Sequence, residues 1–182
     1  MEGLDIQTIA SRLQQDPFDA FIDVLVRSEL RAGGIFFWMC EENLGRILSL
    51  PGVMVGSDAS AKGFSGITAI GKPHPRSFGT MPRYLGRYVR EGRVMGLEEA
   101  VHRMTGLPAK VFGLRGRGVI EPGAYADLVV FDPGKIMDKA SFTDPFQKPE
   151  GIVHLVVNGE MVIEQGEITG RRPGQMIKRV RS

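Results

Sequence analysis

An α/β fold is what this sequence predicts, followed by a small β module, and three observations lead to it. Apolar residues recur at helical spacing through most of the first 110 positions. Two short, unalternating apolar runs of strand length interrupt them. After Gly113 the periodicity changes to that of strands, with turn-forming residues between apolar runs.

The helices come first. Ile6, Ile9, Ala10 and Leu13 fall on one helical face, and a second helix is expected from Asp16 as cap and Pro17 in the first turn, with Phe18, Phe21, Ile22, Leu25 and Val26 as its apolar stripe. Both helices need a partner surface. Gly33-Gly-Ile-Phe-Phe-Trp-Met-Cys40 reads as a strand covered on both faces, Leu44, Ile47 and Leu48 as a short helix, and Val53-Met-Val55 as a second buried strand. Strand, helix, strand at this spacing predicts a parallel pair joined by a crossover.

From Ala59 to Gly79 glycines and prolines predict a long loop, of the length that usually carries function or lacks order. Helical spacing returns at Tyr84, Leu85, Tyr88 and Val89, and again at Leu97, Val101 and Met104. A last short helix opens in Thr105-Gly-Leu-Pro-Ala109, with Gly113 as its left-handed stop. Beyond it, 126–131, 153–157 and 161–163 read as strands, and Asn158-Gly159 predicts a type I′ hairpin because both turn positions need positive φ.

Composition narrows the class. The 182 residues are 42% hydrophobic and 24% charged with a net charge of +2, which gives no whole-chain electrostatic case for nucleic acid or membrane as a partner. A full (β/α) barrel takes ~250 residues, more than are present. Cys40 is the single cysteine, which excludes an internal disulfide framework and suits a reducing compartment. No apolar run reaches the ~20 residues of a membrane span and the N-terminus is not a signal peptide, so the cytoplasm is the expected location. Arg171, Arg172, Lys178 and Arg179 form a basic stretch read as a solvated tail rather than a phosphate or RNA contact.

Asp58 stands out as a site candidate, an acid just past a short apolar strand with Gly56 and Ser57 before it. The motifs Val55-Gly-Ser-Asp58, Pro73-His-Pro-Arg-Ser-Phe-Gly-Thr80, Met104-Thr-Gly-Leu-Pro-Ala109, Gly118 to Asp132, Val156-Val-Asn-Gly159 and Arg172-Pro-Gly174 occur in one order. That order resembles the N-acyl-D-amino-acid deacylases (D-aminoacylases) of the amidohydrolase superfamily. Ala59 departs from it, standing where the family has glycine.

The resemblance implies the C-terminal part of a metal-dependent-hydrolase (β/α) barrel. Its last strands and helices would lie in residues 1–113, followed by a small β-sandwich-like module in 114–182. It also implies hydrolysis of an N-acyl-D-amino acid to a carboxylate and a free D-amino acid, with zinc as the family's cofactor. Asp58 matches the catalytic acid, which takes a proton from metal-bound water and returns it to the leaving nitrogen; it is also a weak metal ligand that needs others beside it. Arg76 matches the arginine that holds the substrate α-carboxylate, a task suited to a planar, bidentate donor. His74 and Ser57 are expected to shape the same substrate loop.

The family's metal-binding histidines have no counterparts. The three histidines, at 74, 102 and 154, share no metal-motif spacing, and His102 and His154 are read as packing or surface side chains. Cys40 is read as inert packing. Tight zinc is therefore not expected in this chain alone. The expected partner is a missing N-terminal barrel half or a second copy of the chain. The alternative is a non-catalytic remnant or scaffold module that associates through an open barrel edge exposing Ile35, Phe36 and Phe37.

Overall fold

The computed structural model describes residues 1–177. Lys178 and Arg179, part of the basic stretch, lie outside the described residues. Six α-helices and a π-helical segment precede one antiparallel sheet.

Helix α1 (Ile6–Leu13) is capped by Asp5, whose carboxylate accepts the Thr8 N–H at 2.8 Å, and α2 (Pro17–Arg27) by Asp16, which accepts from Phe18 N–H. The two helices bury Ile9, Ala10 and Ala20 between them, with Leu4, Leu13 and Val24 alongside. The stripe expected to bury α2 is corrected here. Ala20 and Val24 face α1, while Phe18, Ile22 and Val26, at i, i+4 and i+8, are exposed.

Two expected strands are corrected as well. Residues 31–40 and 53–55 carry no strand hydrogen bonding, and Phe36, Phe37, Trp38 and Met39 are exposed rather than covered on both faces. A parallel strand is held by ladder bonds to neighbouring strands, and the sheet among the described residues includes neither segment. Between them, α3 (Glu41–Ser49) forms as its spacing predicts.

The long loop ends earlier than expected, because α4 (Arg76–Arg83) begins within the stretch read as loop. Pro82, which has no N–H to donate, sits near its end, and the chain continues as a π-helix over Tyr84–Glu91. One face of this long helical run carries Gly79, Arg83, Gly86 and Arg90, spaced i, i+4, i+7 and i+11. The connection after the first strand lies along that face. A Cβ on Gly79 would fall 2.6 Å from Asp138 Cβ, and one on Gly86 would collide with the Ile136 carbonyl oxygen. Arg90 donates to the carbonyls of Pro133 and Ile136, and Arg83 to Asp138.

Helices α5 (Leu97–Met104) and α6 (Gly106–Phe112) follow, and Gly113 stops α6 at φ 69° as predicted. Arg103 of α5 is buried and satisfied: it donates to the carbonyls of Leu48 and Leu50 at 2.8 Å each and pairs with Glu99. It ties α5 to the end of α3. The main core gathers Leu48, Tyr84, Leu85, Val89, Ala100 and Ile136, so it draws on helices and on the 132–150 connection together.

The sheet is a meander of β1 (Leu128–Phe131), β2 (Ile152–Val157), β3 (Glu160–Glu164) and β4 (Glu167–Ile168). Asn158 at φ 48° and Gly159 at φ 83° make the expected I′ turn. Gln165 and Gly166, at 49° and 83°, repeat it between β3 and β4. Among the described residues these four strands form one sheet.

Candidate functional site

The segment 53–58 runs from half-buried Val53, Met54 and Val55 through Gly56 and half-buried Ser57 to Asp58. Asp58 adopts φ 46°, a left-handed conformation that aspartate tolerates better than branched residues do. Its side chain is 92% exposed, and Oδ2 lies 3.0 Å from Nη2 of Arg76, the first residue of α4. An exposed ion pair of this kind contributes ~0–1 kcal/mol, so it can exchange readily for a different partner.

His74 holds the start of α4. The Arg76 N–H, free at the helix N-terminus, donates to His74 Nδ1 at 3.0 Å, which requires that nitrogen to be unprotonated. Burial, followed by the positive charges of Arg76 and Arg83, holds the His74 imidazole below its ordinary pKa. Both effects favour the neutral ring that the hydrogen bond needs. The His74 ring also packs edge-on against Phe142 at 5.0 Å, and Phe142 meets Phe37 at 4.8 Å.

Further along the same helical run, Arg83 and Arg87 gather acidic partners. Arg83 pairs with Asp138 at 3.3 Å and approaches Glu41 at 3.6 Å; Glu41 also meets Arg87 at 3.4 Å and accepts the Tyr88 hydroxyl proton at 2.7 Å. The Asp138 side chain is only 7% exposed and meets the Arg83 guanidinium directly.

The structure therefore brings Asp58, Arg76 and His74 together, with Ser57 adjoining Asp58 in the chain. Glu41, Arg83, Asp138 and Phe142 had not been singled out from the sequence. Arg83 had a signal, two helical turns from Arg76 on one face. Asp138 and Phe142 had none, because they arrive from a connection more than 60 positions away. His102 lies in α5 and His154 in β2, where Nδ1 accepts from Gln165 N–H. Cys40 is exposed, not packed, a correction that follows from the uncovered segment before it.

Among the described residues no three His, Cys, Asp or Glu side chains assemble into a group that could hold a metal ion. Asp58 is a single exposed carboxylate engaged with a guanidinium, and His74 Nδ1 is engaged by a backbone N–H. A catalytic zinc takes about three protein ligands, so the residues present do not by themselves fit one. No helix among the described residues is long and apolar enough to cross a membrane.

The Asp58–Arg76 pairing, in a chain with the ordered motifs of 55–174, finds its context in comparison with known proteins. Residues 19–163 match the model of the Amidohydrolase family (Amidohydro_3). This chain belongs to the amidohydrolase family. The D-aminoacylase of Alcaligenes xylosoxydans xylosoxydans is 39% identical over 98% of the chain, and the N-acyl-D-glutamate deacylase of the same organism is 44% identical over 97%. In both cases the chain spans only 34% of the relative.

Among solved amidohydrolases, the N-acyl-D-glutamate deacylase of Bordetella bronchiseptica, in complex with zinc and a phosphonate inhibitor, superposes with a TM-score of 0.79. The identity is 44%, over 96% of this chain and 34% of that one. A D-aminoacylase structure gives 0.76 at 42% identity. The resemblance to D-aminoacylases read from the motifs is thus borne out, and the chain corresponds to about a third of such a protein.

Proposed function

We propose that this chain is the C-terminal portion of a metal-dependent N-acyl-D-amino-acid deacylase. Residues 1–113 would contribute the closing strands and helices of its barrel and residues 114–182 the small β module. The metal ligands come from residues outside these 182. The observation that carries the reading is the Asp58–Arg76 pair, an acid and a guanidinium 3.0 Å apart in a chain 44% identical to N-acyl-D-glutamate deacylases.

The chemistry this chain supplies follows from those two groups. Arg76 presents a planar fork to the α-carboxylate of an N-acyl-D-amino acid, and the carboxylate replaces Asp58 on it at little cost because the exposed ion pair is weak. Asp58, released beside the scissile amide, accepts the proton of the attacking water and returns it to the nitrogen as the C–N bond breaks. The products are a carboxylate and a free D-amino acid. His74 keeps the guanidinium oriented by holding the first N–H of α4.

The test is to co-produce this chain with the part of the Bordetella bronchiseptica deacylase that it does not match, add zinc, and measure release of D-glutamate from its N-acyl derivative. Activity should appear and fall by roughly 10²–10⁴ in Asp58→Asn. Activity unchanged in that variant would remove Asp58 from the chemistry. Absence of activity in an assembled complex would favour a non-catalytic scaffold.

A further inference from the structure

We propose that Phe142 is a positioning residue for recognition of the substrate carboxylate: carried by the connection between β1 and β2, it seats the His74 imidazole against the first N–H of α4 and so fixes where Arg76 sits. The inference rests on the deacylase reading for its substrate and on contacts within this chain for its geometry.

The contacts run from ring to guanidinium. Phe142 meets His74 edge-on, with the ring centroids 5.0 Å apart and the planes at 83°. That is a favoured arrangement of two aromatic rings, and it fixes the tilt of the imidazole as well as its place. Tilt matters because the acceptor lies in the ring plane. Nδ1 takes the Arg76 N–H at 3.0 Å, so a ring free to turn about its side-chain bonds would lose that bond. Arg76 opens α4, where backbone N–H groups have no partner within the helix. His74 supplies one.

A residue that positions another must itself be held. Ser141 N–H donates to the Asp144 carbonyl at 3.0 Å, and Asp144 N–H to Ser141 Oγ at 3.0 Å, closing a tight turn with Phe142 inside it. Pro145, next in the chain, is fully buried. Three further contacts clamp the same connection to the site. Asp138 pairs with Arg83 at 3.3 Å, the Thr143 carbonyl accepts from Lys72 Nζ at 2.5 Å, and Phe146 meets Phe78 at 5.2 Å. These tethers flank Phe142 in sequence, and Phe142 carries their hold to His74.

The guanidinium grips the α-carboxylate, away from the scissile bond, so its placement governs binding in the ground state and the transition state alike. Loss of Phe142 should therefore appear in KM. It should also appear at His74, whose pKa is held down first by burial and then by the charges of Arg76 and Arg83. Removing the covering ring lets the midpoint rise, while both arginines still oppose protonation.

In the co-produced complex, Phe142→Ala should raise KM for the N-acyl-D-amino acid by roughly 2–10-fold with kcat within about twofold. The rise in KM should be larger at about pH 6 than at about pH 8, because a protonated His74 accepts nothing from Arg76. Phe142→Leu, which keeps apolar volume if alanine disturbs folding, should move KM the same way, and Phe142→Tyr, which keeps the ring, should recover it. In the isolated chain, NMR should place the His74 midpoint of Phe142→Ala above that of the unmodified chain and show faster exchange of the Arg76 amide. Phe146→Ala, which loosens the same connection at Phe78, should lower stability and leave the His74 midpoint in place.

An unchanged His74 midpoint in folded Phe142→Ala or Phe142→Leu overturns the proposal, and so does a KM that Phe146→Ala raises as far. Absence of turnover by the unmodified complex is a failure of the deacylase reading instead. The His74 midpoint and the Arg76 amide then still decide whether Phe142 positions the start of α4.

Discussion

At the scale of single residues, His74 links structure to pH. The folded chain holds its imidazole below the ordinary value of about 6.5, while the unfolded chain does not. Between those two values the unfolded state binds a proton that the folded state refuses, so stability rises with pH across that window. It is fully present above about pH 6.5 and declines as pH falls below it. The His74 resonance followed by NMR should titrate below its ordinary midpoint, and Arg76→Ala should move that midpoint upward. A midpoint at or above 6.5 in the unmodified chain would contradict the environment described. Protonation would also remove the acceptor for Arg76 N–H, so the start of α4 should loosen over the same range.

At the scale of elements, the helical run 76–91 is defined by what presses against it. Gly86 lies mid-helix, where alanine would be favoured by about 1 kcal/mol on propensity alone. Its Cβ, however, would meet the Ile136 carbonyl and the Met137 side chain, and a backbone atom cannot swing aside. Gly86→Ala should therefore destabilise by roughly 1–3 kcal/mol, read as a lowered urea midpoint. A raised midpoint would mean that the 132–138 connection does not lie on this face. Arg83 and Arg90 fasten the same connection through Asp138 and the carbonyls of Pro133 and Ile136. The element that carries Arg76 is thus held at its far end by the segment following β1.

At the scale of the whole molecule, two sets of surfaces have different status. The main core is satisfied internally, with its buried apolar cluster and the Arg103 hydrogen bonds. The exposed face of α2 and residues 33–40 are not. Zinc offers a check at this scale. After equilibrium dialysis the isolated chain should retain substantially less than one equivalent, because Asp58 alone offers one carboxylate where about three ligands are needed. Stoichiometric retention would show a ligand set other than the one described. The complex with the complementary portion should retain it.

What the sequence by itself determined were the features written in local chemistry. Asp16 and Gly113 set helix ends, Asn158-Gly159 set a hairpin, and the ordered motifs from Val55 to Gly174 set the family. Each depends on residues within a few positions, or on a pattern repeated through the chain. Only the tertiary structure decided the rest. An apolar run of strand length does not state whether a neighbour exists to pair with it, so residues 33–40 read as a buried strand and are uncovered. Gln165-Gly166 is a weaker turn signal than Asn-Gly, since glutamine gains less from the left-handed region, yet its backbone adopts the same turn. Asp138 and Phe142 reach the site across more than 60 residues of chain, a distance no local spacing encodes. The carboxylate and guanidinium were legible as types in sequence; their 3.0 Å approach, and the aromatic path from that pair through Phe142 to exposed Phe37, required the fold.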